Sequence, residues 1–226
     1  MQILGWQINQ QTAARVLPFA LYMAFLAIEG GMVNALPGFD VRWLYPAKIV
    51  AVVAALWYFK SSYIELFTRP NWLWAGLVAP LLGVIVFVLW INMDSGWMNL
   101  GGGAGFDPRN PAGDFNWPLV VMRLAGAALV VPLMEELFWR SFLMRWIQEQ
   151  NFMDVIPLQI GLRAILFSSV VFGLEHSLWL AGIVAGLAYA WLYRASGSLW
   201  PPIISHAITN LVLGLWVLTT GAWQFW

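Results

Sequence analysis

The chain of 226 residues contains no cysteine, which excludes disulfides, thiol catalysis and cysteine-ligated zinc together. Charge is scarce as well. Charged residues are 10% of the chain, and eleven basic side chains balance eleven acidic ones. No basic stripe is present, so nucleic acid is not expected as a partner. Histidine occurs only twice. The glycine-rich run Gly101-Gly102-Gly103-Ala104-Gly105 lacks the Lys-Ser/Thr ending of a phosphate loop and reads as a flexible connector. The stretch from Met1 to Ala14 has neither a basic n-region nor a cleavage site, so the first apolar span is expected to stay in the mature protein.

What the chain does have is apolar surface. It is 61% hydrophobic and carries sixteen tryptophans. A water-soluble protein of this length needs more polar surface than that, so lipid is the expected solvent for much of the chain. Indole rings gather where hydrocarbon meets headgroups, which fits the tryptophan count. A membrane span needs about 20 mostly apolar residues. Seven segments approach this: Val16 to Val33, stopped by Asn34-Ala35-Leu36-Pro37-Gly38; Pro46 to Phe59; Trp72 to Ile91; Pro118 to Gln150, which exceeds one crossing; Leu158 to His176; Leu178 to Arg194; and Pro201 to Thr220. The expected fold is an all-α polytopic transmembrane bundle of about seven to eight membrane helices. It forms a single integral membrane domain over 1–226, with three N-terminal spans in 1–91, a polar loop at 92–117 and core spans in 118–220.

Charge bias orients the spans. One end holds Arg15, Lys60, Arg69, Arg145, Arg163 and Arg194. The other holds Arg42, Lys48 and Arg109 with Asp94, Asp107 and Asp114. The first end is the expected cytoplasmic one, with the N-terminus inside and the C-terminus outside. Gly182 and Gly186, four apart beside Ala181 and Ala185, would let two helix backbones approach closely within the chain.

Ionisable groups within a bilayer cost roughly 2.5–3.5 kcal/mol each and persist where they pair or line a wet cavity. Glu135 and Glu136 point about 100° apart on a helix. Glu136 and Arg140, four apart, can form an ion pair, which leaves Glu135 without a local cation and available as a base. Phe172 and His176 share a helix face, with Glu175 beside it as a solvated terminus residue. His206 and Asn210 project together into one space. Arg123 can snorkel to the headgroups and is assigned no chemistry. A carboxylate, two imidazoles and an amide that converge could activate water and hold an oxyanion. That equipment suits amide hydrolysis. Proton relay in a small transporter and a non-catalytic immunity or scaffold role remain alternatives.

The order Glu-Glu-x-x-x-Arg, Phe-x-x-x-His, His-x-x-x-Asn over Glu135 to Asn210 resembles the CAAX protease and bacteriocin-processing family of glutamate intramembrane proteases, which includes the eukaryotic Ras-converting endopeptidase. Two further segments, 105–111 and 197–206, resemble a bacterial subgroup found beside exosortase sorting systems. The resemblance implies a bacterial inner-membrane endopeptidase that cuts a membrane-associated or lipid-modified protein. Within it, Glu135 and His176 activate water, and His206 and Asn210 hold the oxyanion. Glu136, Arg140 and Phe172 support the site. It implies no cofactor, although a Glu/His/His set could also ligate zinc. Convergence requires His176 near mid-depth, some thirteen steps or about 20 Å from Arg163. A conical cavity open to the basic side is expected, with the site a third to halfway down.

Overall fold

The computed structural model describes residues 2–3, 6–7, 9–35, 38–101 and 105–226. The segments Leu36-Pro37 and Gly102 to Ala104 lie outside the described residues, and with them part of the expected first-span stop and of the glycine connector.

Among the described residues seven helices form the structure: α1 (Gln10–Ala35), α2 (Leu44–Tyr58), α3 (Leu73–Asn92), α4 (Trp117–Gln148), α5 (Leu162–Leu174), α6 (Trp179–Ser196) and α7 (Trp200–Thr220). Five of them are long and apolar enough to cross a membrane: those beginning at Gln10, Val41, Leu73, Trp117 and Trp200. The chain is therefore a multi-pass membrane protein. The only strand pairing among the described residues is a ladder of two residues a side, Gln2–Ile3 with Trp6–Gln7, and a bridge between Arg109 and Phe115.

Several boundaries differ from the sequence reading. α1 begins at Gln10, six residues before the apolar run, because Asn9 accepts from the Gln11 N–H through its side chain and so starts the helix in polar sequence. α4 extends over 32 residues, about 48 Å at the helical rise against a hydrocarbon core of about 30 Å. It tilts or projects accordingly. α5 is the opposite case. Pro157–Gln159 forms a 3₁₀ turn, and the helix proper begins only at Leu162 and stops at Leu174. Its 13 residues supply about 20 Å, less than one crossing. His176 therefore lies in the bend between α5 and α6 rather than on a helix. The bend's backbone is bonded: Leu100 N donates to Ser177 O, and Trp179 Nε1 donates to Trp97 O.

Glycines bring α5 against α6. A Cβ on Gly173 would sit 2.4 Å from Ile183, one on Gly182 would sit 2.8 Å from Gly173 Cα, and one on Gly186 would sit 3.0 Å from Ser169 Cα. The small-residue stripe of α6 thus packs within the chain. Gly83 does the same for α3 and α7, where an added Cβ would meet Ser205 O at 2.5 Å. These contacts place α4, α5, α6 and α7 around one interior space.

Candidate active site

The site begins with irregularities in α4. The helix widens into π turns at Gly126–Val130 and Leu137–Met144, and Glu135 and Glu136 lie in the short α segment between them. Wide turns of this kind often occur at functional positions. In the first, Val131 N–H bonds Gly126 O, five residues back. The next bond in that register would join Pro132 to Ala127, and proline has no N–H to give. The Ala127 carbonyl is left free, and Asn210 Nδ2 on α7 donates to it at 2.9 Å. A proline on one helix thereby fixes an asparagine on another.

Glu136 is fully buried and makes two contacts. Arg140 Nε stands 3.1 Å from its Oε2, the i,i+4 ion pair, and His206 Nδ1 lies 3.0 Å from its Oε1. The sequence reading anticipated the first contact and missed the second. Four-residue spacing reveals neighbours on one helix, whereas nothing local ties Glu136 to a residue 70 positions away. Arg140 Nη2 also donates to Gly186 O on α6 at 3.1 Å. Phe172 lies under the guanidinium, 4.7 Å from ring centroid to Cζ. Tyr189 stacks on the His206 ring at 4.9 Å, and its hydroxyl donates to Thr209 at 2.9 Å.

Glu135 is buried, and its Oε2 has no hydrogen-bond partner among the described residues. That oxygen lies 4.0 Å from His206 Nε2. The His176 ring packs 4.7 Å from Phe172 and 5.4 Å from Trp90. Its Nδ1 is 2.8 Å from the Phe172 carbonyl. A carbonyl can only accept, so Nδ1 carries the proton and Nε2 of the neutral ring is an acceptor.

Glu135, Phe172, His176, His206 and Asn210 line one cavity of about 760 Å³, counted out to its open mouth. Tyr22, Tyr45, Trp90, Arg123, Phe225 and Trp226 line it as well. Tyr45 opens α2, Trp90 ends α3, Arg123 is near the start of α4, and Trp226 follows α7. All four belong to the end that carries the acidic loop. The cavity therefore opens away from the basic end, contrary to the expectation from sequence. Apolar runs mark the spans but not the end that the polar residues face. Two further expectations change. Glu175 is half-buried, with a buried and unpartnered Oε2, and is not a solvated terminus. Arg123, assigned no chemistry from the sequence, lines the cavity. No group of three His, Asp or Glu side chains is arranged to hold a metal among the described residues, so the Glu/His/His set is not gathered into a zinc site.

Residues 116–212 match the family model described as Type II CAAX prenyl endopeptidase Rce1-like. The match contains every residue from Glu135 to Asn210 named above. The family that this model describes is one of proteases, whose reaction is hydrolysis. No curated protein and no solved structure matches the chain.

Proposed function

We propose that this chain, a protease by its Rce1-like CAAX endopeptidase domain at residues 116–212, is an intramembrane glutamate endopeptidase that hydrolyses a peptide bond of a membrane-associated polypeptide. The observation that carries the reading is the Glu135 carboxylate, buried with an unpartnered Oε2 and lining the same cavity as His176 and His206.

Glu135 takes a proton from a water molecule, and His176, with Nδ1–H committed to the Phe172 carbonyl, offers Nε2 as a second acceptor. The hydroxide adds to the substrate carbonyl. His206 has Nδ1 3.0 Å from the Glu136 carboxylate, which orients the ring so that Nε2 faces the nascent oxyanion. Asn210 has one amide hydrogen on Ala127 O and presents the second to the same oxygen. The proton on Glu135 then passes to the leaving amine. Glu136 and Arg140 set the angle of His206, and Phe172 braces His176.

Orientation refines the substrate. By the positive-inside rule the basic end is cytoplasmic, so the cavity mouth faces the opposite side of the membrane. The substrate is then an exported or membrane-anchored chain presented from that side. The likeness of 105–111 and 197–206 to exosortase-linked proteins supports a bacterial inner membrane and a sorting-signal substrate.

The test is hydrolysis of a library of membrane-tethered peptides by purified protein, with Glu135→Gln and His206→Ala variants, each with and without a chelator. Cleavage is expected from the wild type alone and to be indifferent to the chelator. Activity that survives in Glu135→Gln sinks the glutamate mechanism, and loss on chelation establishes a zinc enzyme. Wild-type protein that cleaves nothing favours a scaffold.

A further inference from the structure

Arg123 has no function in the mechanism above, yet it lines the catalytic cavity. Its environment is unusual for a cation. Among the described residues no carboxylate pairs with it; Nε is buried and unpartnered, and the Tyr45 hydroxyl is its polar neighbour. No acidic residue of the chain lies outside the described set. Aromatic rings surround it instead: Cζ is 4.5 Å from the Tyr45 centroid, 5.1 Å from Phe106 and 6.0 Å from Trp226. Rings attract the charge but leave the in-plane N–H fork unused. The other cations at this end are paired: Lys48 with Glu29, Arg42 with Asp40 and Arg109 with Asp107.

The guanidinium also has a fixed relation to the catalytic glutamate. Arg123, Ala127, Val131 and Glu135 recur every fourth residue along α4, and all four line the cavity. Arg123 and Glu135 are therefore at most about 18 Å apart along the helix, the π turn at Gly126–Val130 shortening the rise between them. The two positions between them are small or apolar, so the wall offers a sliding surface between an anion site and a base.

We propose that Arg123 is the anchor for the C-terminal carboxylate of the substrate. Bidentate recognition of a carboxylate is what a free guanidinium fork does best. An extended chain covers about 3.3–3.6 Å per residue, so this distance places the cut about five residues from the terminus. Arg123 is a specificity residue and the enzyme a measuring device for chain ends. A lipid phosphate carries the same anionic chemistry, and the test separates the two.

The proposal rests on the endopeptidase reading for the cut but not for binding, so binding is measured first. A randomised library of acyl-tethered octapeptides is made once as the free acid and once as the amide. Each is titrated against the Glu135→Gln protein in nanodiscs of phosphatidylcholine, with and without phosphatidylglycerol. The acid is expected to bind at least ten-fold more tightly than the amide in both lipids. Arg123→Gln removes the difference, and Arg123→Lys restores part of it. Equal binding of acid and amide, or discrimination that survives Arg123→Gln in protein of unchanged thermal stability, overturns the proposal. Equal binding that falls for both peptides when phosphatidylglycerol is added makes the anion a lipid phosphate, which overturns it also. In active protein, cleavage sites are expected to cluster about five residues from a free terminus and to scatter on amidated peptides. Failure to cleave despite discrimination in binding counts against the endopeptidase alone.

Discussion

His206 Nδ1 lies 3.0 Å from Glu136 Oε1, while its other ring nitrogen lies 4.0 Å from Glu135 Oε2. One imidazole thus stands between two adjacent glutamates with different surroundings. Glu136 has Arg140 at 3.1 Å, and Glu135 has only the cavity and the histidine. The surroundings differ because consecutive helix positions face different neighbours.

Replacement of the two glutamates by glutamine is therefore expected to differ in kind. Glu135→Gln removes the base and abolishes turnover with little effect on folding. Glu136→Gln leaves Arg140 buried without a counter-charge, which costs about 3–5 kcal/mol, and frees the His206 ring. It is expected to lower thermal stability and activity together. Melting temperature and peptide hydrolysis measured on both proteins check this. A Glu136→Gln protein as stable as the wild type would show that the ion pair does not hold the site.

Asn210 is held by a carbonyl that exists as an acceptor because Pro132 cannot donate. Asn210→Ala leaves that buried carbonyl unsatisfied, at about 1–3 kcal/mol, and removes one oxyanion donor, a loss of roughly 10²–10³ in turnover. Asn210→Asp removes the same donors and adds a negative charge beside the oxyanion. It is expected to be the less active of the two, with both judged by turnover number at saturating peptide.

The helices and the polar residues that line the cavity are legible in the sequence for separate reasons. Apolar runs of membrane length mark spans whatever they pack against, and a polar side chain inside one has few uses. Residues that meet along one helix, such as Glu136 and Arg140, follow from spacing alone. The contact of Glu136 with His206, the seat of Asn210 on Ala127 and the aromatic box around Arg123 each join residues far apart in the chain. No period in the sequence encodes them. Glu175 and the direction of the cavity were misread for a related cause. Neither follows from hydropathy: α5 stops at Leu174, and the bend after it carries Glu175 beside the cavity-lining His176.

At the basic end, Arg15 is fully buried and donates to both oxygens of Glu65, at 2.6 and 2.7 Å from Nη2, while Ser141 of α4 bonds the same carboxylate. Burial alone would raise the Glu65 carboxyl, but the Arg15 charge and these hydrogen bonds outweigh it and hold it below the usual glutamate range. A carboxylate lowered on folding adds stability that is full above its unfolded value of about 4.3 and is lost as pH falls through the folded value. Glu65→Gln is expected to lower the melting temperature at neutral pH. The gap to wild type should narrow as pH drops from about 5 toward 3. A gap constant over that range would mean that Glu65 is not ionised in the folded protein.

The orientation of the cavity is open to direct measurement, because the chain has no cysteine of its own. Single cysteines at Asn99, in the loop that follows α3, and at Ser61, between α2 and α3, report on the two ends. Asn99 shares its end with Trp90 and Trp226 at the cavity mouth, and Ser61 adjoins Lys60 at the basic end. A membrane-impermeant maleimide is expected to label Asn99→Cys in intact cells, and Ser61→Cys only in inverted vesicles. The reverse pattern would place the mouth in the cytoplasm, despite six lysines and arginines at the far end against Arg42, Lys48, Arg109 and the cavity-lining Arg123 at the near one. The substrate would then be sought among cytoplasmic membrane-anchored proteins rather than exported ones.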